Sequence, residues 1–122
     1  MYRYYFERLD VFKNSKELTN ELYVITSKFP PEEKFSLANQ IRRSSVSVLA
    51  NLAEGNSRIT KKDQAHFSSI SYSSLMELLS LIMVSFDQQF IDNSEYEVIR
   101  NKINHISNQL IALRNAQLKI KT

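Results

Sequence analysis

Gln40-Ile41-Arg42-Arg43-Ser44-Ser45-Val46-Ser47-Val48-Leu49-Ala50-Asn51-Leu52-Ala53-Glu54-Gly55 is the stretch that decides the fold. Leu37, Ile41, Ser45, Val48 and Leu52 recur in steps of four and three, the spacing that places side chains on one face of a helix. Away from that stripe stand two adjacent arginines and then, from Ser44 to Ala53, no charge at all. Glu54 falls in the last turn, where the negative carbonyl end of the helix dipole disfavours an acid. It therefore calls for a cation, and the arginines are the candidates. Gly55, the only glycine, is expected to close the helix in the left-handed conformation, which it adopts without a Cβ clash.

The rest of the chain extends this picture. One glycine and two prolines in 122 residues leave too little turn chemistry for an all-β domain, so long helices with short connections are expected. A first helix spans about Asp10 to Lys28, with Val11, Ser15, Leu18, Leu22, Ile25 and Phe29 on one stripe and Asp10 as its cap. Pro30-Pro31 stops it, and Pro31 with Glu32 and Glu33 suits the first turn of a second helix running from 31 to 54.

Thr60-Lys61-Lys62-Asp63 reads as a capping box for a third helix from 61 to 88, its inner stripe Phe67, Ile70, Ser74, Leu78 (or Leu75), Leu81 and Ser85. Ser94-x-x-Glu97 opens a fourth, from 94 to 117, in which Tyr96, Ile99, Ile103, Ile106, Leu110 and Leu113 form the cleanest seven-residue repeat. Four amphipathic helices joined this way make an all-α, antiparallel up-down four-helix bundle of a single domain.

The third helix has a second anomaly. Between Ala65 and Phe86 its only formal charge is Glu77, where the outer face of a monomeric bundle should be charged. With the quiet face of the second helix, this predicts a surface covered by neighbouring copies of the chain. A membrane span is argued against by the serines and the central Glu77. The opening Met1 to Arg8 lacks the pattern of a signal peptide, and the chain has no cysteine, so a cytoplasmic protein is expected.

The charged groups in and beside the quiet segments are Arg42, Arg43, Glu54, Arg58 and Glu77, with the Asn51 amide among them. A guanidinium grips a carboxylate through two parallel hydrogen bonds, the usual way to bury such charges. Arg43 and Glu54 are eleven residues apart, roughly 16 Å of helical rise, so their partners must lie on another helix or another copy. Glu77 is the first candidate for an arginine of the second helix. The structural reading is a register-fixing network; the functional one, less favoured by mutual charge neutralisation, is a polyanion-binding or catalytic cluster.

Enzyme templates fit poorly. Nucleophilic catalysis would need an oriented His beside a Ser or Cys, and the chain offers only His66 and His105. Asp63-x-x-His66 is one weak analogue of a di-iron motif, and one glycine allows no phosphate loop. No catalytic, cofactor or metal residue is assigned. The net charge is +3, with local excess only at Lys61, Lys62, Arg114, Lys119 and Lys121, the residues available for nucleic-acid contact. The aromatic opening (Tyr2, Tyr4, Tyr5, Phe6) with Arg3 and Arg8 is expected to pack across a bundle end or a neighbour, the alternative being base stacking.

Phe6-x-x-Leu9, Phe29-Pro30-x-Glu32-x-Phe35-x-Leu37, Gln40-Ile41-Arg42-Arg43, Ser47-Val48, Asn51-Leu52-Ala53-Glu54-Gly55 and Ser74-x-x-Glu77 together resemble the bacterial four helix bundle protein family, which includes proteins encoded in intervening sequences of large-subunit ribosomal RNA genes. The resemblance covers most of the chain and implies an up-down bundle assembled as a ring-like homopentamer. A more distant resemblance, to the accessory protein of diversity-generating retroelements, implies contact with a reverse transcriptase and nucleic acid. The chain departs from the family pattern at Phe12 (usually Trp), Leu49 (often Pro) and Ser73-Ser74 (commonly Gly-Ser).

Overall fold

The computed structural model describes residues 1–119 and contains four α-helices: Asp10–Thr26 (α1), Leu37–Asn56 (α2), Lys61–Asp87 (α3) and Asn93–Leu118 (α4). Each helix packs on the next in chain order and α4 closes against α1, while the diagonal pairs stay apart. Contacts that run in opposite order along neighbouring helices fix the antiparallel sense: Ser47 meets Ser74 and Gly55 meets Phe67 between α2 and α3, while Ser68 Oγ donates to Gln117 Oε1 at 2.7 Å and Phe86 stacks on Tyr96 between α3 and α4. The α2–α3 contact is the most extensive and the α1–α4 seam the thinnest.

The core is the sum of the helical stripes. Leu18 and Leu22 of α1, Ile41 and Val48 of α2, Leu75, Leu78 and Ile82 of α3, and Ile99, Ile103, Ile106 and Leu110 of α4 are all fully buried. On α1, α2 and α4 the stripe lies where the periodicity places it, with Ile25, Tyr96 and Leu113 only partly buried. On α3 it is turned: Ala65, Ser68, Ser71, Leu75, Leu78, Ile82 and Ser85 face inward, and Phe67, Ile70, Ser74 and Leu81 are half-buried at the flanks. Serine at three buried positions is what misleads a pattern read on apolar residues. Their hydroxyls bond carbonyls or Gln117, so burying them costs little.

Several boundaries differ from expectation. Asp10 is the first helical residue rather than the cap; Leu9 holds the cap position, without a side-chain bond, after a 3-10 turn at Tyr5–Arg8. Pro31–Glu33 form only a 3-10 turn, and Ser36, at φ −121° and ψ −104°, breaks the chain before α2 begins at Leu37. Phe35 is 86% exposed, so carrying the helix back through this segment would bury nothing, and isolated helical turns are not stable unaided. Thr60 Oγ1 does accept from the Asp63 N–H at 3.1 Å. The capping box of α4 is Asp92 with Glu95, bonded reciprocally at 2.7 and 3.0 Å, two residues ahead of Ser94 and Glu97. Gln89, in the left-handed region at φ 66°, turns the chain so that Phe90 meets Phe29 and Ile91 is buried.

Candidate assembly face on α2 and α3

Gly55 is helical rather than left-handed, and α2 continues past it to Asn56. Its role is spatial. A Cβ built there would stand 2.6 Å from the Cβ of Phe67, an atom fixed to the α3 backbone. Gly55 thus lets the end of α2 approach the start of α3. Further along, Ser47 Oγ and Ser74 Oγ hydrogen-bond at 2.9 Å, and the Asn51 amide donates back to the Ser47 carbonyl at 2.9 Å and its hydroxyl at 3.2 Å. The Arg58 guanidinium stacks over Phe67 at 4.6 Å, and Gln64 Nε2 donates to the Arg58 carbonyl, tying down the turn between the helices. Small side chains stitch α2 to α3 where the run of uncharged residues lies.

Arg42 and Arg43, adjacent in sequence, go separate ways. Arg42 Nε donates to Thr26 Oγ1 at 2.9 Å and Nη2 to the Tyr23 carbonyl at 3.1 Å, with the guanidinium 4.6 Å from the Tyr23 ring. The last turn of α1 has no basic residue of its own, so Arg42 places a cation at the negative end of its dipole, sharing the Tyr23 carbonyl with the Ser27 N–H. Arg43 points outward. It lines a groove of about 350 Å³ with Gln40, Ser44, Ser47 and Glu77.

Arg43, Glu54 and Glu77 are all exposed, and none forms an ion pair among the described residues. The expected Arg–Glu network is therefore absent within the described chain: Arg43 and Glu77 share a groove without bonding, and Glu54 has no cation. Ser44, 3% exposed beneath this groove, has a buried Oγ with no hydrogen-bond partner.

A model of the 23S rRNA-intervening sequence protein family matches residues 7–112. The chain belongs to this family. A crystal structure of a protein of unknown function from the S23 ribosomal protein family of Bacteroides thetaiotaomicron superposes with a TM-score of 0.79 at 24% identity, covering 86% of this chain and 95% of that one. That likeness concerns the fold. No curated protein matches the chain.

The remaining candidate residues gather at one end of the bundle. Lys61 and Lys62 are exposed in the first turn of α3, Arg58 precedes them, Arg114 lies near the end of α4, which runs back past the start of α3, and Lys119 follows the last residue of that helix. Lys121 lies outside the described residues. At the other terminus Phe6 packs edge-on against Phe12, at 4.9 Å, while Tyr2, Tyr4 and Tyr5 are exposed. Among the described residues no three His, Asp or Glu side chains converge as a metal site would require.

One polar cluster escaped the sequence reading. Across the α1–α4 seam Lys102 pairs with Glu21 and, at 3.4 Å, with Glu17; Asn14 bonds Gln109 at 3.1 Å, and Lys28 meets Glu95 at 3.5 Å. The hydrogen bond that Lys102 donates to Glu21 raises its pKa above the ordinary lysine value, against the opposing effect of burial. The four-residue spacing of Glu17 and Glu21 on one helix face was the available signal.

Proposed function

We propose that the protein is a non-enzymatic, homo-oligomeric scaffold whose copies join through the outer face of α2 and α3, with the family resemblance favouring a pentameric ring in the cytoplasm. One observation carries this reading: only 28% of the most apolar window of α3 is buried within its own chain. Val46 of α2 and Met83 and Val84 of α3 are left exposed on the two helices that carry Arg43, Glu54 and Glu77. A face of apolar groups and uncompensated opposite charges suits a second copy of itself better than water. It suits lipid badly, since Glu77 and exposed serines lie along it.

Light scattering tests the proposal. The wild type should show a multiple of the 14.3 kDa chain mass, and Glu54→Ala or Arg43→Ala should shift it toward monomer or lower its melting temperature. A monomeric wild type, or variants unchanged in both mass and melting, would reject it.

The basic end formed by Arg58, Lys61, Lys62, Arg114 and Lys119 favours a second reading, an accessory factor that contacts RNA, DNA or a reverse-transcriptase-like partner. Symmetry would multiply this patch, and phosphate contacts of that kind weaken steeply with salt. No binding of structured RNA at low salt, or binding indifferent to salt, would remove this reading.

A further inference from the structure

A second groove lies between α3 and α4, away from the Arg43–Glu77 groove. It has a volume of about 320 Å³, is walled by Leu110, Ile111 and Tyr72, and carries the hydroxyls of Ser69 and Ser73 and the guanidinium of Arg114. Arg114 Nη2 donates to Asn115 Oδ1 at 3.0 Å, but Nε is shut off from water and has no acceptor. A buried donor left without an acceptor is destabilising, and Arg114 has no ion-pair partner among the described residues.

We propose that this groove binds a small organic carboxylate with an apolar body. The carboxylate would take the Arg114 guanidinium, assisted by the Ser69 and Ser73 hydroxyls, and the hydrocarbon part would lie on Leu110, Ile111 and the Tyr72 ring. Charge chooses the class: the lining offers a single positive charge and no lysine, which balances a monoanion and leaves a phosphate dianion half unpaired. Size agrees, since the volume lies at the small end of ligand pockets. A reorientation of the guanidinium toward the groove presents Nε and one Nη as a two-pronged donor, which relieves the orphan.

The test uses the whole protein in whatever assembly it forms, titrated with hexanoate, 1-hexanol and hexyl phosphate. The readouts are calorimetry and the methyl resonances of Leu110 and Ile111. Hexanoate should bind saturably, with a dissociation constant of about 1–10 mM for so few atoms. Arg114→Met should weaken it about tenfold, the loss expected for one charged hydrogen-bonded contact. Should that variant fold poorly, Ile111→Glu, at an exposed position of α4 on the groove and outside the proposed α2–α3 face, should abolish the hexanoate shift at Leu110 by placing a like charge beside the carboxylate. Equal binding of hexanol would show an apolar groove without a carboxylate site. Tighter binding of hexyl phosphate, or no saturable methyl shift with hexanoate, would overturn the proposal.

Discussion

Gly55→Ala sets two effects of opposite sign against each other. In an unconstrained helix interior alanine is favoured over glycine by about 1 kcal/mol. Here the new methyl would meet Phe67 Cβ at 2.6 Å, and only a separation of α2 from α3 can relieve it. Overpacking of this kind costs about 1–3 kcal/mol and wins. Gly55→Ala should lower the urea midpoint, and an unchanged or raised midpoint would show that the two helices part freely. A buried serine supplies the converse case. Ser15 Oγ is buried without a partner, so Ser15→Ala should stabilise by about 1 kcal/mol, whereas Ser45→Ala, which loses a bond to the Arg42 carbonyl, should destabilise. Thermal melts moving both variants in the same direction would refute this. Neither residue's role was legible in sequence. Glycine ahead of a polar turn fits a cap and a close approach equally well, and what separates them is Phe67, a partner on another helix. The Arg42 contact with the end of α1 was hidden for the same reason.

At the scale of elements, legibility followed the contrast between apolar and polar positions. The stripes of α1, α2 and α4 could be read because isoleucine, leucine and valine recur along them at helical spacing, holding half of the buried positions of α1 and α2 and most of those of α4. On α3 serines go inside and Met83 and Val84 outside, so the apolar period no longer marks the core. The start of α2 was misplaced because proline followed by two acids suits a 3-10 turn as well as a helix.

The thin α1–α4 seam leans on Lys102 with Glu21 and Glu17, and this gives a pH prediction. A lysine whose pKa is raised on folding contributes stability that is fully present below the unfolded value, about 10.4, and lost as pH rises through the native one. Lys102→Met should therefore cost less than about 1 kcal/mol near neutrality, because the pair is partly exposed. The difference between wild type and variant should close as the solution is taken strongly alkaline. Urea titrations of both proteins across that range check it, and a gap that stays constant would mean that the ion pair contributes nothing.

At the scale of the whole molecule, the charge imbalance seen in sequence was real, but its resolution does not lie within the described chain. Glu54 sits against its helix dipole, Glu77 interrupts an apolar helix, and Arg43 stands within the same groove as Glu77 without bonding it. Had these groups paired with one another, their role would have ended inside the bundle. Unpaired and exposed, they would make the proposed assembly surface specific as well as apolar, because a neighbour would have to bring opposite charge to the right height. A charge swap tests that directly. If Arg43 of one copy meets Glu77 of the next, Arg43→Glu should dissociate the assembly by placing two acids together, and Glu77→Arg should do so with two cations. The double variant Arg43→Glu/Glu77→Arg should restore the wild-type mass in light scattering, since each contact again joins opposite signs. Single reversals with no effect would place Arg43 and Glu77 outside the contact. Reversals that dissociate without rescue would pair each with a different residue, and Glu54 would then be the partner to reverse alongside Arg43.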